Sequence, residues 1–231
     1  IAGQQDVSRQ ALERGGQPGF SLENIIFQDL VAAYYTKLDN LMINGSGSSG
    51  QPLGISQVSG INQTTYTDAS PTVAELYPKL ADAVQEINSN RFAPATAILM
   101  HPRRWGFLTA GVDSSNRPLV LPAGNNPDNA AGVGDAAAYG QVVGSVLGLP
   151  VITDANIRTD LGAGTEDAIY IAKVDDHIMF EDNLFQLKFE ETNAGSLTTK
   201  MVVYGYVAFA SGRYPKGISE IVGTGLIAPT F

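Results

Sequence analysis

Between Ser21 and Asn44, apolar side chains recur at three- and four-residue steps: Leu22, Ile26, Leu30, Val31, Tyr34, Leu38 and Leu41. That spacing lays one apolar stripe along an amphipathic helix. Gln28, Asp29, Thr36, Lys37 and Asn40 fall on the other side. Ser21 is placed to cap the N-terminus, and Glu23 sits in the first turn, where the helix dipole favours an anion. Asn44-Gly45 supplies a C-terminal stop. At 1.5 Å per residue, about 22 residues make a rod of roughly 33 Å. A rod that long, wet along one side, braces a sheet or lies in an interface.

A second helical pattern runs within Ser70 to Asn88, with Val73, Leu76, Leu80, Val84 and Ile87 on one face. Thr72 and Glu75 have capping-box spacing. Pro78 lies inside the pattern, which predicts that the regular helix starts there and that the first part is a separate turn. Thr96 to Met100 predicts a short buried strand, stopped by His101-Pro102. Arg103 to Thr109 predicts a short helix carrying Trp105. Residues 122–140 are rich in Gly, Ala, Asn and Asp without periodicity and predict a long loop, of the kind that is functional or mobile in a compact domain. Gln141 to Thr153 ends in the strand Val151-Ile152-Thr153.

The last third predicts strands. Ala168 to Val174 is apolar. Phe185, Leu187 and Phe189 alternate with Gln186, Lys188 and Glu190, the pattern of a half-buried strand. Met201 to Ala210 is apolar on both faces, as a central strand would be. Gly217 to Val222 closes the series. Helices early and strands late predict an α+β fold. No internal repeat is present.

Composition narrows the function. The 231 residues fit one large domain or two small ones. At 44% hydrophobic and 16% charged the chain is globular rather than disordered. It has no cysteine, which excludes a disulfide scaffold and a Cys-ligated metal, and only two histidines. Fourteen Lys+Arg against 23 Asp+Glu leave a net charge of −9. That argues against a dedicated nucleic-acid binder, because phosphate neutralisation needs clustered Lys and Arg. The longest apolar runs are interrupted by Gly and Tyr and are too short to span a bilayer. The chain opens at Ile1 with no basic segment followed by an apolar run. A processed product or a fragment, without a visible signal peptide, is therefore expected.

Few motifs carry chemistry. Gly45, Gly47 and Gly50 satisfy G-x-G-x-x-G, with Asp68 at a suitable distance for a ribose contact. The dinucleotide motif must follow a strand and open a helix. Here it follows a helix, and Gln51-Pro52 stands where a P-loop needs Lys and Ser or Thr. A flexible turn is expected rather than a nucleotide-binding enzyme. Asp175-Asp176-His177 with Glu181 and Asp182 resembles a metal cluster, but neighbours on one strand point to opposite faces. A solvated turn is expected. Glu190-Glu191 diverge for the same reason. His101 ends a buried strand, and no G-x-S-x-G or similar motif supports a nucleophile. Arg103-Arg104 predicts a solvated helix face rather than a phosphate site. The glycosylation sequons at Asn44 and Asn62 are taken as chance. No catalytic, cofactor-binding or metal residue is expected.

Val7-Ser8-Arg9-Gln10-Ala11-Leu12, the long helix, and Asn44-Gly45-Ser46-Gly47 with Gln51-Pro52-Leu53-Gly54-Ile55 resemble the tailed-bacteriophage major capsid family, which has the Hong Kong 97-like fold. The resemblance continues through Ala97-Ile98-Leu99-Met100-His101-Pro102-Arg103-Arg104-Trp105, where the family commonly has Asn in place of His101. Asn116-Arg117-Pro118-Leu119, Leu147-Gly148-Leu149-Pro150-Val151 and Arg213-Tyr214-Pro215 follow in order. It covers nearly the whole chain.

The resemblance implies an α+β capsid fold with a spine helix at about 22–43. A peripheral domain would take mainly 1–58 and 178–231, and an axial domain mainly 59–177. The family's N-terminal arm and most of its extended hairpin are expected to be absent. The implied function is a major head protein that self-assembles into pentameric and hexameric capsomers of an icosahedral shell around double-stranded DNA. The alternative is an encapsulin-like compartment shell. Scaffolding, portal or decoration proteins are the implied further partners. DNA is enclosed without specific binding, and no membrane is involved. The implied location is the virion, after assembly in the host cytoplasm. Arg9, Asn125, Asn126, Asp128 and Arg213 are the candidate assembly contacts, and Ala123 to Tyr139 would reach towards the capsomer axis. Some relatives crosslink a hairpin Lys to an Asn, assisted by a Glu. Here Lys200 stands at the Asn position and Val207 or Ala208 near the Glu position, so no crosslinking is expected.

Overall fold

The structure, a computed structural model, describes residues 1–15, 21–112, 142–193, 195 and 197–230. After strand β1 (Ala2–Ser8) and the short α1 (Arg9–Arg14), the long helix α2 runs Leu22–Asn44. Ser21 Oγ accepts from the Asn24 amide at 3.4 Å, and Glu23 pairs with Lys188 at 2.8 Å. Tyr34, Leu38 and Leu41 are buried, as their spacing predicts. Asn40 departs from the predicted wet side: it is half-buried and donates to Asn156 Oδ1 at 3.3 Å. Gly45 ends the helix, but not as a left-handed cap; its φ is −56°. Glycine is required there because a Cβ would strike the carbonyl oxygens of Pro52 and Leu41.

The main layer is a six-stranded mixed sheet. Its strands are β2 (Asn62–Thr65), β3 (Ala97–Met100), β4 (Val142–Val146), β5 (Leu149–Thr153), β6 (Ile169–Ala172) and β11 (Ile218–Val222), in the order β2-β11-β6-β3-β5-β4. β11 runs parallel to β2 and β3 parallel to β5; the remaining pairs are antiparallel. β4 and β5 form a hairpin that periodicity missed. Its turn is Leu147-Gly148, with φ of +54° and +76°. One sheet face carries Ile98, Met100, Ile169, Ile171 and Ile221 into the largest core, against α3 (Val73–Arg91) and α4 (Pro102–Ala110). The other face, with Tyr170 and Ile218, meets Ile43 at the end of α2, Ile55, Val58 and Ile157. Burial on both faces explains the unbroken apolar runs.

α3 begins at Val73, with the predicted Thr72–Glu75 capping box, and passes straight through Pro78. The proline does not start the helix. Leu76 and Leu80, fully buried on either side of it, hold the two turns to the sheet.

Met201 to Ala210 is two strands rather than one. β9 (Thr198–Tyr204) is the centre of an antiparallel β1-β9-β8 sheet with β8 (Phe185–Asn193); β10 (Val207–Ala210) pairs with β7 (Ile178–Glu181). The break falls at Gly205, where a Cβ would lie 2.5 Å from the Tyr34 hydroxyl. α2 covers one face of the three-stranded sheet, packing Tyr34 and Leu38 on Val203. Among the described residues nothing covers the other face: Phe185, Leu187 and Phe189 are exposed, so the half-buried strand expected there is uncovered on its apolar side.

Candidate functional site

Arg103 and Arg104 are not a solvated pair. Arg104 is fully buried, and both arginines grip Asp167, the residue before the apolar run of β6. Arg104 Nη2 lies 2.7 Å from Asp167 Oδ2 and also donates to the carbonyls of Leu226 and Ile227 at 2.6 and 2.8 Å. Burial pushes the Arg104 pKa down, and the Asp167 charge pulls against it. His101 caps α4, its Nδ1 accepting from the Arg103 amide at 3.2 Å. Desolvation lowers its pKa, with Asp167 opposing. The cluster ties α4 to β6 and to the closing segment. Arg104 Nη1 is buried and has no partner among the described residues. Sequence reasoning missed it. The available signal was an acid set directly before a buried strand, with Arg-Arg opening a helix.

A second anchor overturns the solvated turn expected at Asp175-Asp176-His177. Asp176 is buried and takes a two-pronged pair from Arg91 at 2.8 and 3.0 Å. Asp175 pairs with Lys173 at 2.9 Å, and the His177 ring stacks on Phe209. Asp175 and Asp176 lie in a short 3-10 turn, Val174–Asp176, rather than on a strand as expected, and their carboxylates turn to different partners. Glu181 and Asp182 stay at the surface. Among the described residues, no group of three or more His, Cys, Asp or Glu could hold a metal.

The Gly45 to Gly50 loop closes on itself. Gly47 donates to the Pro52 carbonyl at 3.1 Å, Gln51 to Ser48 at 3.0 Å, and Ser48 to Ser46 Oγ at 3.3 Å. Amides used this way do not cradle a phosphate.

Of the candidate assembly contacts, Arg9 opens α1, exposed, and pairs with Glu13 at 3.0 Å. Arg213 is exposed over the Tyr214 ring, which Arg91 covers at 3.8 Å. The structure does not bring the two together in a common cluster. Asn125, Asn126 and Asp128, with the segment Ala123 to Tyr139, lie outside the described residues. Lys200 faces Asp6 across β9 and β1 at 3.9 Å. An apolar groove of about 490 Å³ between β1 and α2 is lined by Val7, Leu22, Ile26 and Leu30 and by Asp6, Ser8 and Asp29; Ser8 Oγ accepts from the Ala11 amide at 3.3 Å. Among the described residues these groups serve as internal anchors or lie at the surface.

The chain is 22% identical over 228 residues to the major capsid protein of Klebsiella oxytoca phage phiKO2, covering 92% of this chain and 49% of that protein. The chain thus spans about half the length of the curated relative it matches. Among solved structures it superposes on the capsid of an empty GTA particle, computed with C5 symmetry, with a TM-score of 0.71 at 15% identity, over 96% of this chain and 72% of that one. It superposes on the SrpI encapsulin of Synechococcus elongatus with a TM-score of 0.64 at 12% identity, over 100% of this chain and 75% of that one. These likenesses show the Hong Kong 97-like fold. The model of the phage capsid family matches residues 1–213, and the chain belongs to that family.

Proposed function

We propose that the protein is the major head subunit of a tailed phage, self-assembling into pentameric and hexameric capsomers of an icosahedral shell around double-stranded DNA. The observation that carries this reading is the family match over residues 1–213. The physics supports it. Contacts between shell subunits are spread over large surfaces, so no single pocket is needed. A net charge of −9 keeps the wall from adhering to phosphate, so DNA is enclosed without specific binding. The protein is a structural subunit rather than an enzyme, resident in the virion and assembled in the host cytoplasm, where a cysteine-free chain is at no disadvantage. Scaffolding, portal or decoration proteins are its further partners.

We assign mainly 1–58 and 178–231 to a peripheral domain and mainly 59–177 to an axial one. β11 is the exception, since it lies in the six-stranded sheet. Arg9, Asn125, Asn126, Asp128 and Arg213 are proposed assembly contacts. Negative-stain microscopy of the full-length protein tests the function: closed shells are expected. Monomers only, even with scaffold and other head proteins present, would sink it.

The likeness of the whole chain to an encapsulin favours one second reading, a compartment shell around protein cargo. The content of purified particles decides between them. DNA supports the phage head, and a packaged enzyme supports the compartment.

A further inference from the structure

We propose that Arg104 and Tyr66 together hold an ordered water molecule, buried where α3, α4 and the closing segment after β11 meet. Arg104 is fully buried and Tyr66 is 3% exposed. Each has one polar atom, Arg104 Nη1 and the Tyr66 hydroxyl, that is shut off from solvent and has no partner among the described residues. A buried donor left unpaired is costly, and nearly all such groups in folded proteins are met by protein or by ordered water.

Both side chains press on the same stretch of chain. A Cβ at Gly225 would stand 2.5 Å from the Tyr66 ring. The next two carbonyls, of Leu226 and Ile227, take Arg104 Nη2 at 2.6 and 2.8 Å. Backbone bonds keep Tyr66 beside this stretch: its amide donates to the Val222 carbonyl at 2.8 Å, and its carbonyl accepts from the Gly225 amide at 3.0 Å. Val73 at the start of α3 and Leu108 on α4 belong to the same core as Tyr66 and Leu226. The Phe107 ring lies 5.3 Å from the Arg104 guanidinium. The two polar groups also feel each other. Burial pushes the Tyr66 pKa up, Asp68 and Glu75 add to the rise, and Arg104 opposes it. The hydroxyl therefore keeps its proton at neutral pH.

The chemistry of the pair selects the occupant. A guanidinium donates only and does not lose its proton, so whatever meets Nη1 must accept. That excludes a metal cation. An anion would accept from both groups, but Asp167 already faces Arg104 at 2.7 Å, and Asp68 and Glu75 place negative charge on the Tyr66 side. Water accepts from Nη1 and then either donates to the hydroxyl or accepts from it. Two hydrogen bonds to otherwise unpaired groups are what a buried water needs at the least. The other arm of the same guanidinium fastens the closing segment, so the water couples Tyr66 to that fastening.

A density map of the full-length protein, from shells or crystals, at a resolution that shows ordered water is the direct test. A single peak within about 3.2 Å of both Arg104 Nη1 and the Tyr66 hydroxyl oxygen is expected. No peak, a peak touching one of them alone, or a side chain from elsewhere in the chain or from a neighbour in that place overturns the proposal. Tyr66→Phe gives an independent reading, because it keeps the ring on Gly225 and removes only the hydroxyl. Its melting temperature should fall by a few degrees. An unchanged or higher value would mean that the hydroxyl was unpaired and its loss a relief, and overturns the proposal. The unsubstituted protein should melt alike in sodium chloride and in sodium gluconate of equal ionic strength. A gain in chloride that Tyr66→Phe abolishes overturns water in favour of an anion. Should Tyr66→Phe not fold, the map of the unsubstituted protein decides alone.

Discussion

The Arg104 guanidinium lies 2.7 Å from the Asp167 carboxylate, with both side chains at 0% exposure. Removing the acid leaves two cations around one buried site. A buried pair broken on one side costs about 3–5 kcal/mol. Asp167→Ala should therefore lower the melting temperature by roughly 10 °C for a chain of this size. Asp160→Ala removes an ion pair to Arg158 whose carboxylate is 69% exposed, and should cost under about 1 kcal/mol. Thermal unfolding followed by circular dichroism gives the comparison; equal losses would refute the anchoring role.

Gly54 faces a wall of backbone: a Cβ there would stand 2.5 Å from the Gly45 amide and 2.6 Å from the Ile43 carbonyl oxygen. Gly50 sits at φ +77° with nothing within 4 Å. Gly54→Ala should cost on the order of 3 kcal/mol, because backbone rather than a mobile side chain must shift. Gly50→Ala should cost about 1 kcal/mol, the strain of a left-handed residue alone. Urea midpoints at constant slope measure both, and the ranking is what matters: a costlier Gly50→Ala contradicts the close approach.

These examples show where the sequence was legible. The long helix, the Thr72–Glu75 cap and the strand before His101 were readable because each is written in local spacing and cap chemistry. The buried charges were not. Arg104 and Asp167 are 63 residues apart in the chain, and Arg91 and Asp176 are 85 apart. Nothing local tells an arginine that a distant acid will cover it. The single apolar run from Met201 hid a strand break for a similar reason, since Gly205 is placed by the ring of Tyr34 on another element. The candidate site was legible only as a resemblance. An assembly surface is made of ordinary residues, and Phe185, Leu187 and Phe189 read like a core, yet among the described residues no layer covers them.

Pro78 lies within α3 at an exposed position, and because proline has no N–H the Ala74 carbonyl lacks its usual donor four residues on. Replacing it with alanine restores a donor and removes the ring clash, a gain of about 1–3 kcal/mol, offset by about 0.4–1 kcal/mol of regained freedom in the unfolded chain. Pro78→Ala should raise the melting temperature by a few degrees. A lower value would mean that the proline relieves strain in the turn before it.

Both histidines, His101 and His177, have their pKa values lowered from the ordinary 6.5, in each case chiefly by desolvation. The unfolded chain therefore binds more protons than the folded one just below pH 6.5, and stability falls as pH drops from there through the depressed folded values. Protonation would also remove the Nδ1 acceptor that caps α4 at His101. His101→Asn keeps a cap, and His177→Gln keeps a polar ring-sized group. The double variant should show a flatter stability curve between about pH 6.5 and 5.5, read from urea midpoints. An unchanged slope would assign the acid sensitivity to other groups.

Lys200 sits 3.9 Å from Asp6 across the β1–β9 ladder, at the position that the resemblance aligns with the crosslinked Asn of some relatives. An isopeptide bond needs an electrophilic carboxamide that expels ammonia, and an alkyl ammonium offers none. Val207 and Ala208 supply no carboxylate to assist at the neighbouring position. Particles of the full-length protein should therefore dissolve to a single monomer band on a denaturing gel after heating without reductant. Ladders of dimers to hexamers that survive this treatment would show that another pair of residues forms the bond.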